Sequence, residues 1–256
     1  MSVFGCLADY GRTVDATDID ASIFRKIMCF TYKEDIQIRS IEEASNLLYA
    51  AKKYKIMQLD KLCEKYLMSI IDDDTIEEIN VLADTYKLKT LRRLTKLHHS
   101  RPNPSLPASW MRFEPGGSFP DGAIIAGYSN EGIPICIGRC IYEGNILPGQ
   151  VDPLSESIAI SHEGHAVQIV KKFEILCNGN LFWTRSMLGN VLSDAVSGGT
   201  TELGETVYIG RAVHEGTLKI GKISPLSDSL IVPNGQTEAR VDDSYEVLIE
   251  KPLNQI

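Results

Sequence analysis

The sequence predicts an α+β chain of two unlike parts: a helical first part, then an all-β domain of two tandem repeats with pseudo-twofold symmetry. Three observations predict it. Apolar residues recur at helical spacing between Asp20 and His98. All eleven prolines and eighteen of the twenty glycines lie beyond residue 100, which favours turns and strands there over helices. The phrase PGQVDPLSES, Pro148 to Ser157, returns as IGKISPLSDS, Ile220 to Ser229.

The helical elements come first. SIEEASNLLYAAKKYK opens with Ser40 and Glu43 at capping-box spacing, and Ala44, Leu47, Leu48 and Ala51 then share one face. QLDKLCEKYLMSI presents Leu59, Leu62, Cys63, Tyr66 and Ile70. Asp74 and Glu77 are expected to cap a third such helix carrying Ile79, Leu82 and Tyr86, and LKTLRRLTKLHH makes a further one. AKKYKIMQL at Ala51 echoes in ADTYKLKTL at Ala83, each predicting a helix, a tight reversal at Tyr-Lys and a new helix. Two such units are too few for a helical solenoid, which needs three or more.

RPNPSLPAS, residues 101 to 109, is proline-dense and stiff. It marks the boundary between a first region, 1–100, and a β domain, 110–256, whose repeats span 110–177 and 183–249. Sliding the chain by 72 residues between 123 and 176 aligns fifteen identities without a gap, five of them glycine pairs. Shared glycines imply shared turns, because glycine reaches positive φ at little steric cost. VYIGRAVHEG alternates, with Val207, Ile209, Arg211 and Val213 on one face and Tyr208, Ala212 and His214 on the other. KKFEILC and DSYEVLIEK close the two copies with matching strands.

Composition excludes several classes. Residues 101–256 hold 11 basic against 18 acidic side chains, which accounts for nearly all of the net charge of −8. Such a domain has no general attraction for phosphate backbones, so nucleic acid is not an expected partner. No stretch approaches the length of a bilayer span, MSVFGCLADYGR lacks the features of a secretory signal, and the chain is expected to be cytoplasmic. The six cysteines show no framework spacing. Cys136 and Cys140 lie roughly 13 Å apart along a strand, beyond disulfide reach, and read as buried thiols. HEGH, His162 to His165, lacks supporting ligands, so no metal or other cofactor is expected. No nucleophile elbow, phosphate loop or H-E-x-x-H motif is present, and the chain reads as a non-enzyme.

FRKIMCFTYKEDI, LLYAAKKYKIMQLDKLCEKYL and INVLADTYKLKTL together resemble the C-terminal half of a BTB/POZ domain and the start of its helical extension, closest to the speckle-type POZ adaptors. The resemblance covers residues 4–98. It implies that Ile23 to Tyr32 is the helix preceding the family's Y-x-x-[ED] turn, and that Tyr32 to Asp35 is that turn. It also implies protein partners, self-association into a homo-oligomer, and a cullin-type ligase scaffold as a partner. The family's docking element has no clean match in FGCLADYGRTVD.

In the second part, a tryptophan (Trp110, Trp183), then A-x-x-x-G, [YI]-x-G-R-[AC]-x-x-[EH]-G, P-G-x-[VI]-x-P and [FY]-E-[IV]-L strongly resemble tandem DM-nine repeats over residues 108–250. The resemblance implies a lectin-like β module, and a glycan, such as one of mannose type, as ligand in innate immunity. In sugar-binding members an aspartate follows the A-G-aromatic turn and a lysine follows P-G. Here those positions hold Ser129 and Gln150 in the first copy, and Thr201 and Lys222 in the second. A carboxylate accepts from vicinal hydroxyls while an ammonium donates, so loss of the aspartate costs ~10- to 100-fold in affinity. Lys222, beside Thr201 and Glu202, makes the second copy the better candidate pocket. Lys222 also reads as a solvated turn lysine, Trp110 and Trp183 as core anchors, and Arg139 and Arg211 as structural ion-pair partners of Glu143 and Glu215.

Overall fold

The computed structural model describes residues 19–252. FGCLADYGRTVD, where the resemblance would put a docking element, lies outside them. The chain divides into two compact units, Met1–Thr95 and Lys96–Ile256.

The first unit is helical: α1 Ala21–Thr31, α2 Ile41–Tyr54, α3 Met57–Ser69, α4 Ile76–Thr85 and α5 Lys89–His99, the last running on past the division. The Ser40 hydroxyl accepts from the Glu43 amide at 3.1 Å, and the Glu43 carboxylate accepts from the Arg39 amide at 2.8 Å. This is the expected box, with its return bond moved one residue upstream. The next cap differs from expectation. Thr75, not Asp74, precedes α4 and makes no side-chain cap. Asp72 instead accepts from the amides of Asp74 and Thr75 at 3.1 and 2.8 Å, because a short side chain folds back on its own loop more easily than it reaches a helix start.

Three helices end alike. Lys33, Lys55 and Lys87, each directly after a tyrosine, have φ of 64°, 56° and 55°. The next amide bonds five residues back, Glu34 to Cys29, Ile56 to Ala51 and Leu88 to Ala83, at 2.8–3.0 Å. That is the left-handed cap that usually employs glycine. Ile56 and Leu88 then bury their side chains, which offsets the roughly 1 kcal/mol that a Cβ costs in this conformation. The core contains Leu47, Leu48, Leu59, Leu67, Ile79 and Leu91, all fully buried.

The second unit is one curled, all-antiparallel sheet. The first repeat gives β1 Ser109–Phe113, β2 Ile125–Tyr128, β3 Pro134–Tyr142, β4 Asn145–Asp152, β5 Ser157–His162, β6 His165–Ile169 and β7 Phe173–Cys177. The second gives β8 Leu181–Ser186, β9 Ser197–Thr200, β10 Thr206–His214, β11 Thr217–Ser224, β12 Ser229–Asn234, β13 Thr237–Val241 and β14 Tyr245–Glu250. The strand order is β1-β7-β3-β4-β5-β6-β13-β12-β11-β10-β14-β8, with β2 on β3 and β9 on β10. The order is a palindrome about the β6–β13 junction, where His165 pairs with Thr237. Registers repeat with the sequence: Gly138 faces Gly149 as Gly210 faces Gly221, and Arg139 faces Glu174 as Arg211 faces Glu246.

Three apolar clusters hold this unit. Phe113, Cys136, Cys140, Ile158, Ile160 and Ile175 fill the first repeat; Ala212, Ile223, Leu230, Val232 and Val247 fill the second. Ile124, Ile137, Ile209, Ile220 and Leu248 form a third between the repeats, with Trp110 and Trp183 packed against it. Central strands therefore bury both faces. Ile209 faces the shared cluster and Ala212 the second repeat's own core, while Val213 at the strand end is 70% exposed, unlike its assigned neighbours Val207 and Ile209.

Glycine pairs at 72 residues have a steric cause. Gly127 and Gly199 have φ of 153° and 154°, and an added Cβ would lie 2.2 Å from a Leu218 methyl and 2.1 Å from the Ile146 carbonyl oxygen. Ile146 and Leu218 are themselves equivalent positions. Each repeat thus presses a hairpin strand onto the bare backbone of the other.

Candidate ligand-binding cleft

The β2–β3 turn positions Ser129 through its own hydroxyl, which accepts from the amides of Glu131 and Ile133, both at 3.2 Å. Thr201 does the same in the second repeat, accepting from the Glu205 amide at 3.1 Å. These short hydroxyls hold a tight turn, and their O–H protons stay free to donate.

In the first repeat, Ser129 and Gln150 line one cleft of 360 Å³. Asn130, Glu131, Asp152 and, from the second repeat, Thr217 line it too. Gln150 leaves its side-chain oxygen buried and without a hydrogen-bond partner among the described residues. The cleft is mainly apolar, walled by Ile133, Pro134, Ile135 and Val151, with a few hydroxyl, amide and carboxylate groups that can orient a ligand.

In the second repeat the residues are committed differently. Lys222 Nζ donates to the Ser161 carbonyl at 2.9 Å, reaching into the first repeat. Burial pushes its ammonium below the ordinary lysine value, against the opposing pull of Glu238, Glu205 and Glu163. Glu205 ends the turn that Thr201 opens, and its carboxylate accepts from the Ser224 hydroxyl and the Leu226 amide. Glu202 lies over the β3–β4 hairpin, its amide donating to the Asn145 side chain at 3.0 Å. Lys222 is thus linked to the Thr201 turn only by the pull of the Glu205 charge, and Glu202 belongs to the contact between repeats.

Sequence reasoning missed Asp152 and Thr217. Asp152 caps the turn after β4, accepting from the Leu154 amide and the Ser155 hydroxyl at 2.8 and 2.7 Å. At its equivalent the second repeat has Ser224, and Glu205 supplies the missing carboxylate from the β9–β10 turn. The signal was available: in the offset alignment Asp152 faces Ser224 while Ile133 faces Glu205. Thr217 was visible as the equivalent of Asn145, but nothing local says that it crosses to the other repeat.

The arginines correct an expectation. Arg139 Nε pairs with Glu174 at 2.7 Å and Arg211 Nε with Glu246 at 2.6 Å, each carboxylate lying directly across the sheet. Glu143 instead approaches His162 at 3.1 Å, and Glu215 accepts from Asn234 at 3.2 Å. The reason is register: Glu143 and Glu215 sit at positive φ in hairpin turns, beyond the reach of mid-strand arginines. Each guanidinium also lies 4.3–4.4 Å from the centre of a tryptophan ring, Arg139 on Trp110 and Arg211 on Trp183.

A DM9 repeat model matches residues 102–169 and 130–241, more than half of the chain. The chain belongs to the DM9 repeat family. A BTB/POZ domain model matches residues 7–71. Among curated proteins, BTB/POZ and MATH domain-containing protein 4 of Arabidopsis thaliana is 30% identical over 97 residues, 32% of this chain and 21% of that protein. The chain therefore spans about a fifth of the length of this relative. Among solved structures, the nematode sperm cell motility protein MFP2B is similar at a TM-score of 0.45 and 13% identity, covering 60% of this chain and 50% of that one. BTB/POZ and DM9 are both non-catalytic families, and their pairing marks an interaction or recognition protein. No helix among the described residues is long and apolar enough to cross a membrane.

Proposed function

We propose that this DM9 chain is a non-enzymatic recognition protein whose repeat domain binds a carbohydrate of mannose type, and whose BTB/POZ part supplies self-association. The observation that carries the reading is the cleft that gathers Ser129, Gln150, Asp152 and Thr217. Its few hydroxyl, amide and carboxylate groups, set among apolar side chains, match a ligand that carries hydroxyls around an apolar ring face. Lys222, Thr201 and Glu202 form the second candidate site, whose ammonium must leave the Ser161 carbonyl before it can serve a ligand. The test is binding of the full chain to immobilised mannan and a glycan panel, with Gln150→Ala and Lys222→Ala as variants. Saturable binding abolished by Gln150→Ala places the site in the first repeat, and loss in Lys222→Ala places it in the second. Absence of saturable binding to every glycan refutes the lectin reading.

A second reading rests on the domain pair itself. A BTB/POZ domain joined to a different recognition module is also the plan named for the Arabidopsis relative. In this reading the DM9 repeats select a protein client and the BTB/POZ part links it to a cullin-type ligase scaffold. Co-purification with the N-terminal region of a cullin tests it. Failure of the purified proteins to associate at micromolar concentration counts against it.

A further inference from the structure

A second cleft, of 490 Å³, opens in the first repeat away from the Ser129 turn. Arg112 from β1, Arg139 from β3, Lys172 beside β7 and the carboxylate of Glu174 line it, with the apolar side chains of Ile141 and Ile146 and the buried Phe173. Three cations in one cleft stand out in a region with 18 acidic and 11 basic side chains.

Their commitments differ. Glu174 lies between two arginines in the sheet register, facing Arg112 on one side and Arg139 on the other. It bonds Arg139 at 2.7 Å, and Trp110 stacks on that same guanidinium, fixing it in place. Arg112 is exposed and makes no hydrogen bond or ion pair among the described residues. Lys172 pairs with Glu114 at 2.7 Å, but both side chains are mostly exposed, 74% and 61%, so the pair opens at little cost. One free fork, one fixed fork and one releasable ammonium thus converge beside an apolar wall.

The second repeat has the same row with a different outcome. Arg185 faces Glu246, which bonds Arg211. Arg211, however, also donates to the Ala126 carbonyl, and Ser244 stands at the equivalent of Lys172. The second copy therefore has one cation fewer and a more fully committed guanidinium.

We infer that the Arg112–Arg139–Lys172 cleft binds an organic phosphomonoester, its phosphate held by the two forks and the ammonium, its organic group lying on Ile141 and Ile146. Guanidinium forks match tetrahedral oxyanions in bidentate geometry, and a dianion answers the charge of Arg112 and Lys172 better than a carboxylate does. This site is independent of the carbohydrate cleft.

Calorimetric titration of the full chain at low salt with phenyl phosphate, inorganic phosphate and phenol tests the inference. Phenyl phosphate is expected to saturate one site, with weaker binding of inorganic phosphate and none of phenol. Arg112→Gln and Lys172→Gln, both at exposed positions, are each expected to weaken binding about tenfold or more, and Arg185→Gln to leave it unchanged. Absence of saturable binding at millimolar phenyl phosphate overturns the site, as does affinity unchanged in both first-repeat variants. Equal affinity for inorganic phosphate overturns the role of the apolar wall, and loss in Arg185→Gln overturns the assignment to the first repeat.

Discussion

Lys222 ties the two repeats together: its Nζ donates to the main-chain carbonyl of Ser161, 61 residues earlier, at 2.9 Å. The lysine that a sugar-binding reading singles out is therefore also a structural contact, and affinity and stability are separable readouts of it. Lys222→Met is expected to cost about 1 kcal/mol in urea unfolding at neutral pH, the worth of one such bond. Burial holds the folded ammonium below its unfolded value of 10.5. The folded chain then releases its proton first, so the stability of the wild type relative to Lys222→Met rises as pH climbs from the lowered value towards 10.5. A difference that falls over that range would contradict this account.

The glycine pairs predict a position-specific cost. Gly199→Ala places a methyl 2.1 Å from the Ile146 carbonyl oxygen at a φ of 154°, where no flexible side chain can yield. The expected destabilisation is about 2–4 kcal/mol. Gly116→Ala, at a φ of 86° but with nothing within 4 Å, is expected to cost about 1 kcal/mol. Equal midpoints for the two variants in denaturant would show that the close approach between repeats carries no energy.

Local rules read most of this fold. Helix faces, the Ser40 cap and the Tyr-Lys reversals follow from short-range spacing, and the offset of 72 fixes the repeat because both copies obey the same turns. What escaped was non-local. The partner of Arg139 lies 35 residues away on β7, a choice set by strand register rather than by sequence proximity. Thr217 enters the first repeat's cleft only because the repeats interlock. Ser129 and Gln150 were legible as a pair from the resemblance alone; their convergence in one cleft required the sheet.

Lys26 and Glu43 test the first unit. Burial raises the Glu43 carboxyl, but the Lys26 ammonium and the Arg39 amide outweigh it and hold the group below its ordinary value. A depressed carboxylate contributes stability that is complete above about pH 4.5 and is lost as pH falls through the folded value. Glu43→Gln is expected to lower stability by about 1 kcal/mol at pH 7. The gap to wild type closes on acidification. A gap that is constant from pH 7 to pH 3 would show that packing, not charge, is what the variant loses.

The thiols predict a chemical inertness that can be counted. Burial pushes Cys63, Cys140 and Cys177 up to about 12 and raises Cys136 as well. At pH 8 a thiol of that kind is ionised in about one molecule in ten thousand, and the thiolate is the reactive form. In a variant with Cys6 and Cys29 replaced by serine, Ellman's reagent is expected to find almost no thiol in the native protein and four after denaturation. Native reaction at a rate matching the denatured chain would mean that the β cores open far more readily than their packing implies. Cys136, Cys140 and Cys177 lie in the same core as Phe113 and Ile158, so their reaction rate reports directly on opening of the first repeat. Gly127→Ala is then expected to accelerate labelling of these three ahead of Cys63, which belongs to the helical core.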